Sequence, residues 1–323
     1  MKVLVVGGAG YIGSHMTLML RASGHEAVVL DNLVSGTRRA VLEAPLIVGD
    51  IGDREVLDRV FEGQRYDCVM HFASLIQVGE SVQKPALYYR NNFCHTLELL
   101  DAMVRHDVGR FVFSSTAAIF GEPERVPIDE DCAKRPINPY GRSKWMVEQV
   151  LQDYDRAYGL RSACLRYFNA AGADPDGRIG ENHEPESHLI PLALRAAAGR
   201  GPLSVFGRDY DTPDGTCIRD YIHVVDLCSA HLLALEALCA SDRSDAFNLG
   251  NGNGYSVQQV IDAVVQVTGR AVPIVEAPRR AGDPPRLVAN PARALSVLGW
   301  KPRYAAIQTM VSHAWQWEQK ARR

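Results

Sequence analysis

The chain has 323 residues, a 46% hydrophobic share and 23% charged residues, so core size is not limiting and disorder is excluded as its general state. A formal charge of -3, with no basic tract interleaved with aromatics, argues against nucleic acid or an anionic membrane as the main partner and leaves small molecules. Its seven cysteines, Cys68, Cys94, Cys132, Cys164, Cys217, Cys228 and Cys239, are scattered and lack any Cys-x-x-Cys pair, which predicts neither a disulfide framework nor zinc, and no metal is expected. The opening apolar run is too short for a signal peptide, and no other run approaches a membrane span, so a reducing cytoplasm is the expected address.

Residues 3–6 read as a buried strand that runs directly into Gly7-Gly8-Ala9-Gly10-Tyr11-Ile12-Gly13, and a helical pattern follows through Ile12, Met16, Met19 and Leu20. Strand, glycine turn and helix together let the backbone approach a pyrophosphate, with unpaired N–H groups and the positive end of the helix dipole aimed at it. A second strand over 27–30 ends at Asp31, placed to accept hydrogen bonds from an adenosine ribose and to repel a 2'-phosphate. NAD is therefore expected rather than NADP. The glycine spacing is G-x-x-G-x-x-G, one step from the common G-x-G-x-x-G.

Strands and helices keep alternating: 46–48 before Gly49-Asp50-Ile51, a helix over 56–61, and a strand over 68–72 ending near Ala73. The alternation predicts a doubly wound parallel α/β sheet of Rossmann type. Asp50 and Ile51 are placed to grip an adenine, although Asp50 suits a helix cap equally well. A helix over 86–106 carries Leu87, Leu97, Leu99, Leu100 and Met103 as a packing stripe; near its start Asn91 offers a cofactor contact, with core packing as the default. The strand 111–113 ends in Ser114, Ser115 and Thr116, on the side where such sheets bind ligands; a hydroxyl there is also ordinary turn chemistry. A proline-rich loop then leads to Pro139-Tyr140-Gly141-Arg142-Ser143-Lys144.

If that last segment is helical, Tyr140 and Lys144 share one face, and an ammonium beside the phenol favours phenolate. A tyrosine starting near pKa ~10 needs such help to act as a base at neutral pH. The spacing also occurs on helices with no function. Beyond a strand over 164–167 and Phe168-Asn169, a polar, glycine-rich passage over 173–185 predicts a division into an NAD-binding domain over 1–172 and a smaller, mixed α/β substrate domain over 173–323. Helices are predicted over 188–198, 225–240, 257–268 and 305–319, with strands over 203–206, 246–249 and 272–275, some of which are expected to return to the first sheet. Trp315 and Trp317 read as packing residues.

In this order the blocks resemble the extended short-chain dehydrogenase/reductases and, within them, the UDP-glucose 4-epimerases. The matching residues include the glycine turn with Ser14-His15, Asp31-Asn32-Leu33, Gly49-Asp50-Ile51, His71-Phe72-Ala73, Asn91-Asn92, Phe113 to Thr116, Tyr140 to Lys144, Arg166-Tyr167-Phe168-Asn169, Phe206 to Tyr210, and Arg219 to Val224. The resemblance implies hydride transfer from sugar C4 to NAD and proton transfer to Tyr140, with Thr116 on the reacting oxygen and Lys144 also on the nicotinamide ribose. By the same resemblance, Gly7, Gly10, Tyr11, Ile12, Gly13, Asp31, Asn32, Asp50, Ile51, Phe72, Ala73, Asn91 and Phe168 face the cofactor. Asn169, His188, Leu189, Arg219, Arg280 and Asp283 face the UDP-sugar, and a homodimer through the helices over 86–106 and 140–158 is implied.

Three positions depart from the family pattern. Thr116 replaces a serine, Ser74-Leu75-Ile76 replaces Gly-Leu-Lys, and Leu287 stands where a tyrosine narrows the pocket of stricter enzymes. The smaller Leu287 predicts tolerance of N-acetylated sugars. A 4,6-dehydratase is disfavoured because Ala117 and Ala118 stand where its Asp-Glu pair follows the threonine. UDP-xylose or UDP-glucuronate epimerisation, UDP-uronate decarboxylation and a non-catalytic NAD-sensing scaffold are the alternatives the sequence leaves.

Overall fold

A computed structural model describes residues 1–280 and 283–320. Of the block from Arg280 to Asp283, Ala281 and Gly282 lie outside the described residues. Strands β1 (Lys2–Val6), β2 (Glu26–Asp31), β3 (Leu46–Val48), β4 (Cys68–His71), β5 (Arg110–Thr116) and β6 (Arg161–Tyr167) join Asp245–Leu249 in one seven-stranded sheet. Across it the order is Asp245–Leu249, β6, β5, β4, β1, β2, β3, and every pairing is parallel.

The run Val3-Leu4-Val5-Val6 is apolar at every position because both faces of β1 are covered. Val3 and Val5 pack with α1 (Tyr11–Ala22) and the helix Val224–Ser241; Leu4 and Val6 pack with the helices Arg54–Glu62, His95–Arg105 and Pro139–Tyr158. From β1 the chain first winds outward through β2 and β3, then crosses back to β4. The carboxyl ends of β1 and β4 therefore flank the topological switch point, where a crevice for ligand opens.

The remaining chain builds around its own apolar core, formed by the helices Leu189–Ala197, Val257–Thr268 and Ile307–Lys320. Its strands are short. Asn169–Ala171 pairs with Tyr221–His223, Leu203–Phe206 with Ile274–Ala277, and Ile218–Arg219 lies between Tyr255–Ser256 and Arg286–Leu287.

Four expectations change. The strand expected over 272–275 is Ile274–Ala277, and it joins Leu203–Phe206 instead of the central sheet. Val275 and Glu276 are exposed, so this strand could not sit in a sheet covered on both faces. The helix expected over 86–106 is three pieces, Pro85–Tyr88, a π-helical stretch Tyr89–Cys94 and His95–Arg105, and Leu87 faces solvent. Asn92, buried in the π stretch, bonds both backbone groups of Leu75 through its amide, and the wider turn points it there. The 173–185 passage is closely packed, with Ala173, Asp174 and Ile179 buried and Asp174 holding Arg178 at 2.7 Å. Finally, Val224–Ser241 is long and apolar enough to cross a membrane by length and composition; here it covers one face of the sheet, packed against α1.

Candidate active site

The glycine turn follows β1 at the switch point. Gly7 has φ +81°, and a Cβ there would lie 2.5 Å from the Ala73 nitrogen, so only glycine lets β1 and β4 release their chains side by side. A Cβ on Gly13 would meet the Gly7 carbonyl oxygen at 2.1 Å, which packs α1 tightly onto the turn. Gly10 is the N-cap of α1 and supplies no side-chain bond to it; a Cβ there would meet only the Gly7 oxygen, at 3.4 Å. The first turn of α1 thus starts without a side-chain cap on its backbone donors, a fit for a pyrophosphate.

Asp31 braces this turn. Its Oδ2 accepts from the Ala9 N–H at 2.9 Å and its Oδ1 from the Leu33 N–H at 2.8 Å, leaving each oxygen a further lone pair for a ribose hydroxyl. Asn32 donates to Asp50 at 2.7 Å, and Gly52 N–H donates to its other oxygen at 2.7 Å. Burial opposes ionisation of Asp50, but these bonds outweigh it and hold the carboxyl below its usual range. The helix cap is Asp53, which accepts from Glu55 and Val56; the cap reading of Asp50 is corrected because three residues separate it from that first turn. Ile51 is buried, and Phe72 and Ala73 both donate their N–H groups to the Val6 carbonyl. The Tyr11 hydroxyl donates to the Gly172 carbonyl at 2.7 Å, tying α1 to the second half, while Ile12 packs partly on the same core. Asn91 donates to Asn92 at 2.9 Å, and Phe168 packs beside Ala117, Ile119 and Phe120.

Tyr140 begins the helix Pro139–Tyr158. Asn138 caps it by accepting from Gly141 N–H at 2.8 Å, Pro139 opens it, and Gly159, at φ +69°, ends it. A Cβ on Gly141 would lie 2.5 Å from the Ala118 carbonyl, so glycine lets this helix rest on the backbone that follows Thr116. That contact brings Tyr140 beside Thr116, whose hydroxyl acts to lower the phenol. Thr116 also accepts from Ala118 N–H at 3.1 Å, which fixes its rotamer.

Lys144, one turn on, is buried. Its ammonium donates to Ser74 Oγ at 2.5 Å and to the Ser114 carbonyl at 2.8 Å, and lies 4.8 Å from the centre of the Phe113 ring. Burial lowers Lys144 to about 7, with Glu148 pulling the other way. Tyr140 is raised by burial, and the Thr116 bond lowers it in part. The expected depression of the phenol by Lys144 is therefore not what this arrangement produces; burial dominates both groups, and the ammonium is turned to Ser74 and Ser114.

On the second half, Arg219 pairs with Asp283 at 3.1 Å and donates to the Pro284 carbonyl at 2.9 Å. Arg280 lies over the Phe206 ring at 3.8 Å, and Asn169 donates to the Asp220 carbonyl at 2.8 Å. Leu287 packs in the same cluster as Ala117 and Phe168, next in sequence to Thr116 and Asn169 respectively. His188 caps the helix that starts at Leu189, and its ring is bonded to Glu181. Burial disfavours its charge, but Glu181 outweighs this and raises it to about 9.

Sequence reasoning assigned no role to Ser74, Glu148, Arg166 or Asp220. Ser74 was visible only as a departure from a pattern. Asp220 is buried and accepts from the N–H groups of Asn251, Gly252 and Ala289, joining three segments around Arg219. Nothing local in the sequence marks those partners, which lie more than thirty residues away.

Residues 3–250 match the NAD dependent epimerase/dehydratase family. The chain is 52% identical over 321 residues to a UDP-glucose 4-epimerase of Halalkalibacterium halodurans, covering 99% of this chain and 96% of that protein. A crystal structure of UDP-glucose 4-epimerase from Brucella ovis in complex with NAD is similar with TM-score 0.95 at 50% identity, covering 97% of each chain. One from Bifidobacterium longum in complex with NAD+ and UDP has TM-score 0.94 at 38% identity, over 99% of this chain and 98% of that one.

Proposed function

This chain belongs to the NAD-dependent epimerase/dehydratase family, and from that premise we propose that Tyr140, Thr116 and Lys144 carry its chemistry. It is an NAD-dependent isomerase that inverts C4 of a UDP-hexose, interconverting UDP-glucose and UDP-galactose. The observation that carries the residue assignment is the contact of Tyr140 with Thr116 beside a buried Lys144, all at the carboxyl edge of the sheet next to the glycine turn.

NAD, when bound, supplies a reversible hydride acceptor. The residues fit it: the first turn of α1, without a side-chain cap, takes the pyrophosphate, and Asp31 takes the adenosine ribose. Tyr140 removes the proton of the sugar 4-hydroxyl and later returns it to the oxygen of the inverted sugar. Burial raises the phenol, so the base form requires positive charge nearby, which Lys144 would supply by turning its ammonium from Ser74 and Ser114 toward Tyr140. Thr116 holds the reacting oxygen in reach of Tyr140. Asn169, Arg219, Arg280 and Asp283, with His188 and Leu189, hold the nucleotide end so that the 4-keto sugar can turn over without leaving.

The same reading includes two finer elements. Leu287 is smaller than the tyrosine expected of stricter enzymes, which favours an N-acetyl group, so UDP-N-acetylglucosamine is proposed as a substrate as well. A homodimer covers the exposed apolar side chains Leu87 and Tyr158, on the helical segments implied in pairing, together with Val78 and Val82 on the preceding helix Val78–Gln83. Incubation with UDP-glucose, UDP-galactose and their N-acetyl forms, followed by product identification, tests the substrate reading. Epimerisation of UDP-glucose without net NADH is expected; retention of that activity by Tyr140→Phe would remove Tyr140 as the base.

A further inference from the structure

The segment that leads into the helix Leu189–Ala197 gathers four ligand-type side chains outside the proton-transfer site. Glu181, His183, Glu186 and His188 each offer one atom, and these atoms lie within 4.8 Å of one another. The pocket is built rather than superficial. The side chains of Glu181 and Glu186 are 6% and 1% exposed, Trp317 Nε1 donates to the Glu181 carbonyl at 2.9 Å, and the Tyr11 ring meets the His183 ring edge-on at 6.2 Å. Glu186 Oε1 accepts from the Ser187 and His188 N–H groups, which folds the segment so that both histidines face both carboxylates.

Two facing, buried carboxylates require neutralisation. His188 now answers Glu181 through its ring N–H; a divalent cation would displace that proton and cancel the charge of about -2 left on two carboxylates and two neutral imidazoles. The neighbouring cation, Arg195, lies 4.0 Å from Glu186 and donates to the His183 carbonyl instead. His183 Nδ1 is buried and has no hydrogen-bond partner among the described residues, so its lone pair is free to ligate. The distances suit a small metal. Tetrahedral zinc with bonds of ~2.0–2.1 Å places its ligand atoms ~3.3 Å apart, and His183 Nδ1 lies 3.0 Å from Glu181 Oε1 and 3.9 Å from Glu186 Oε1. An imidazole and carboxylate set favours Zn²⁺ and its first-row neighbours over Mg²⁺ or Ca²⁺, which prefer oxygen alone.

We propose that Glu181, His183, Glu186 and His188 form a closed four-ligand site for a divalent transition metal of the zinc class. All four positions are filled by protein, so the ion is structural: it pins the segment between α1 and the helix that carries Leu189. The absence of paired cysteines gave no sign of this site, because its ligands are carboxylates and imidazoles.

The full-length, NAD-loaded protein is stripped with a chelator and titrated with ZnCl2 and, separately, CoCl2. Expected results are one retained zinc per chain by elemental analysis, a rise in Tm on adding zinc, and a visible cobalt spectrum without a thiolate charge-transfer band. His183→Asn and Glu186→Gln should each abolish retention. No retained zinc, a thiolate band from one of the free cysteines, or undiminished retention in both variants would overturn the proposal. If the variants do not fold, the cobalt spectrum of the unaltered protein still decides it.

Discussion

Lys144 and Glu148 stand one turn apart on the same helix, each about 2% exposed, and their surroundings treat them in opposite ways. Glu148 is answered fully: Arg166 reaches both its oxygens, as close as 2.6 Å, and Ser115 donates to it at 2.5 Å. Among the described residues Lys144 donates only to the neutral Ser74 hydroxyl and the Ser114 carbonyl, above the Phe113 ring. Burial lowers the lysine to about 7, whereas Arg166, despite its own burial, is held high by Glu148. The contrast separates two uses of a buried charge. A matched pair locks the helix to β5 and β6; an unmatched ammonium costs stability, and the part in proton transfer proposed for it would explain its retention beside Tyr140.

The largest expected effect falls on the unmatched side. Lys144→Met should lower kcat by about 10²–10⁴-fold, the range for loss of a group that enables general acid–base transfer, while the protein remains folded. Product formation from UDP-galactose, with circular dichroism as the folding control, checks it. A variant with near-normal kcat would make Lys144 a packing residue and erase the contrast.

On the matched side, activity and stability should exchange places. Glu148→Gln strands the Arg166 guanidinium, whose side chain is 6% exposed, and should destabilise the fold by about 3–5 kcal/mol. Urea unfolding measures the loss. The fraction that stays folded should lose far less kcat than Lys144→Met, since Glu148 acts on Lys144 only through space and neither partner touches Tyr140 in the hydrogen bonds described.

How much of this could be read beforehand depends on the distance over which each signal acts. The Val3–Val6 run, the glycine turn and Asp31 form a contiguous pattern whose physics is local, and the parallel sheet follows from the alternation they begin. The helix through Tyr140 stood only as a condition on the Tyr-Lys spacing, and the reason for Gly141 became visible only with the Ala118 carbonyl 2.5 Å from its missing Cβ. Arg166 stood only within a matching block and Glu148 had no assigned role until the fold brought them together across 18 residues. The three-part helix after residue 84 was hidden for the same reason, since the amide that shapes it, Asn92, answers to Leu75.

The contrast also has a pH signature. Lys144 is lowered to about 7 in the fold against 10.5 in an unfolded chain. Between those values the unfolded chain holds the proton and the folded chain does not, so stability rises with pH across that window, by at most about 1.4 kcal/mol per unit. Below it both states are protonated and this contribution to the slope vanishes. In nucleotide-free protein, the unfolding free energy from pH 7 to 9 should therefore rise more steeply in the native sequence than in Lys144→Met. Equal slopes would mean that Lys144 keeps its ordinary titration.

The smallest effect should come from Ser74, the residue that stands where related sequences place glycine. Its hydroxyl bonds the Lys144 ammonium at 2.5 Å, while the Ser114 carbonyl supplies a second acceptor at 2.8 Å. Ser74→Ala removes one neutral acceptor of two and leaves Phe113 and the helix undisturbed. The charged form of Lys144 loses support, so its pKa falls further and the alkaline limb of kcat against pH moves to lower pH. The loss at neutral pH should be under about ten-fold, in keeping with one hydrogen bond of ~1 kcal/mol. An unmoved pH profile would show that Ser74 only fills space; a loss as large as that of Lys144→Met would show that the serine, and not the lysine alone, sets the electrostatics around Tyr140.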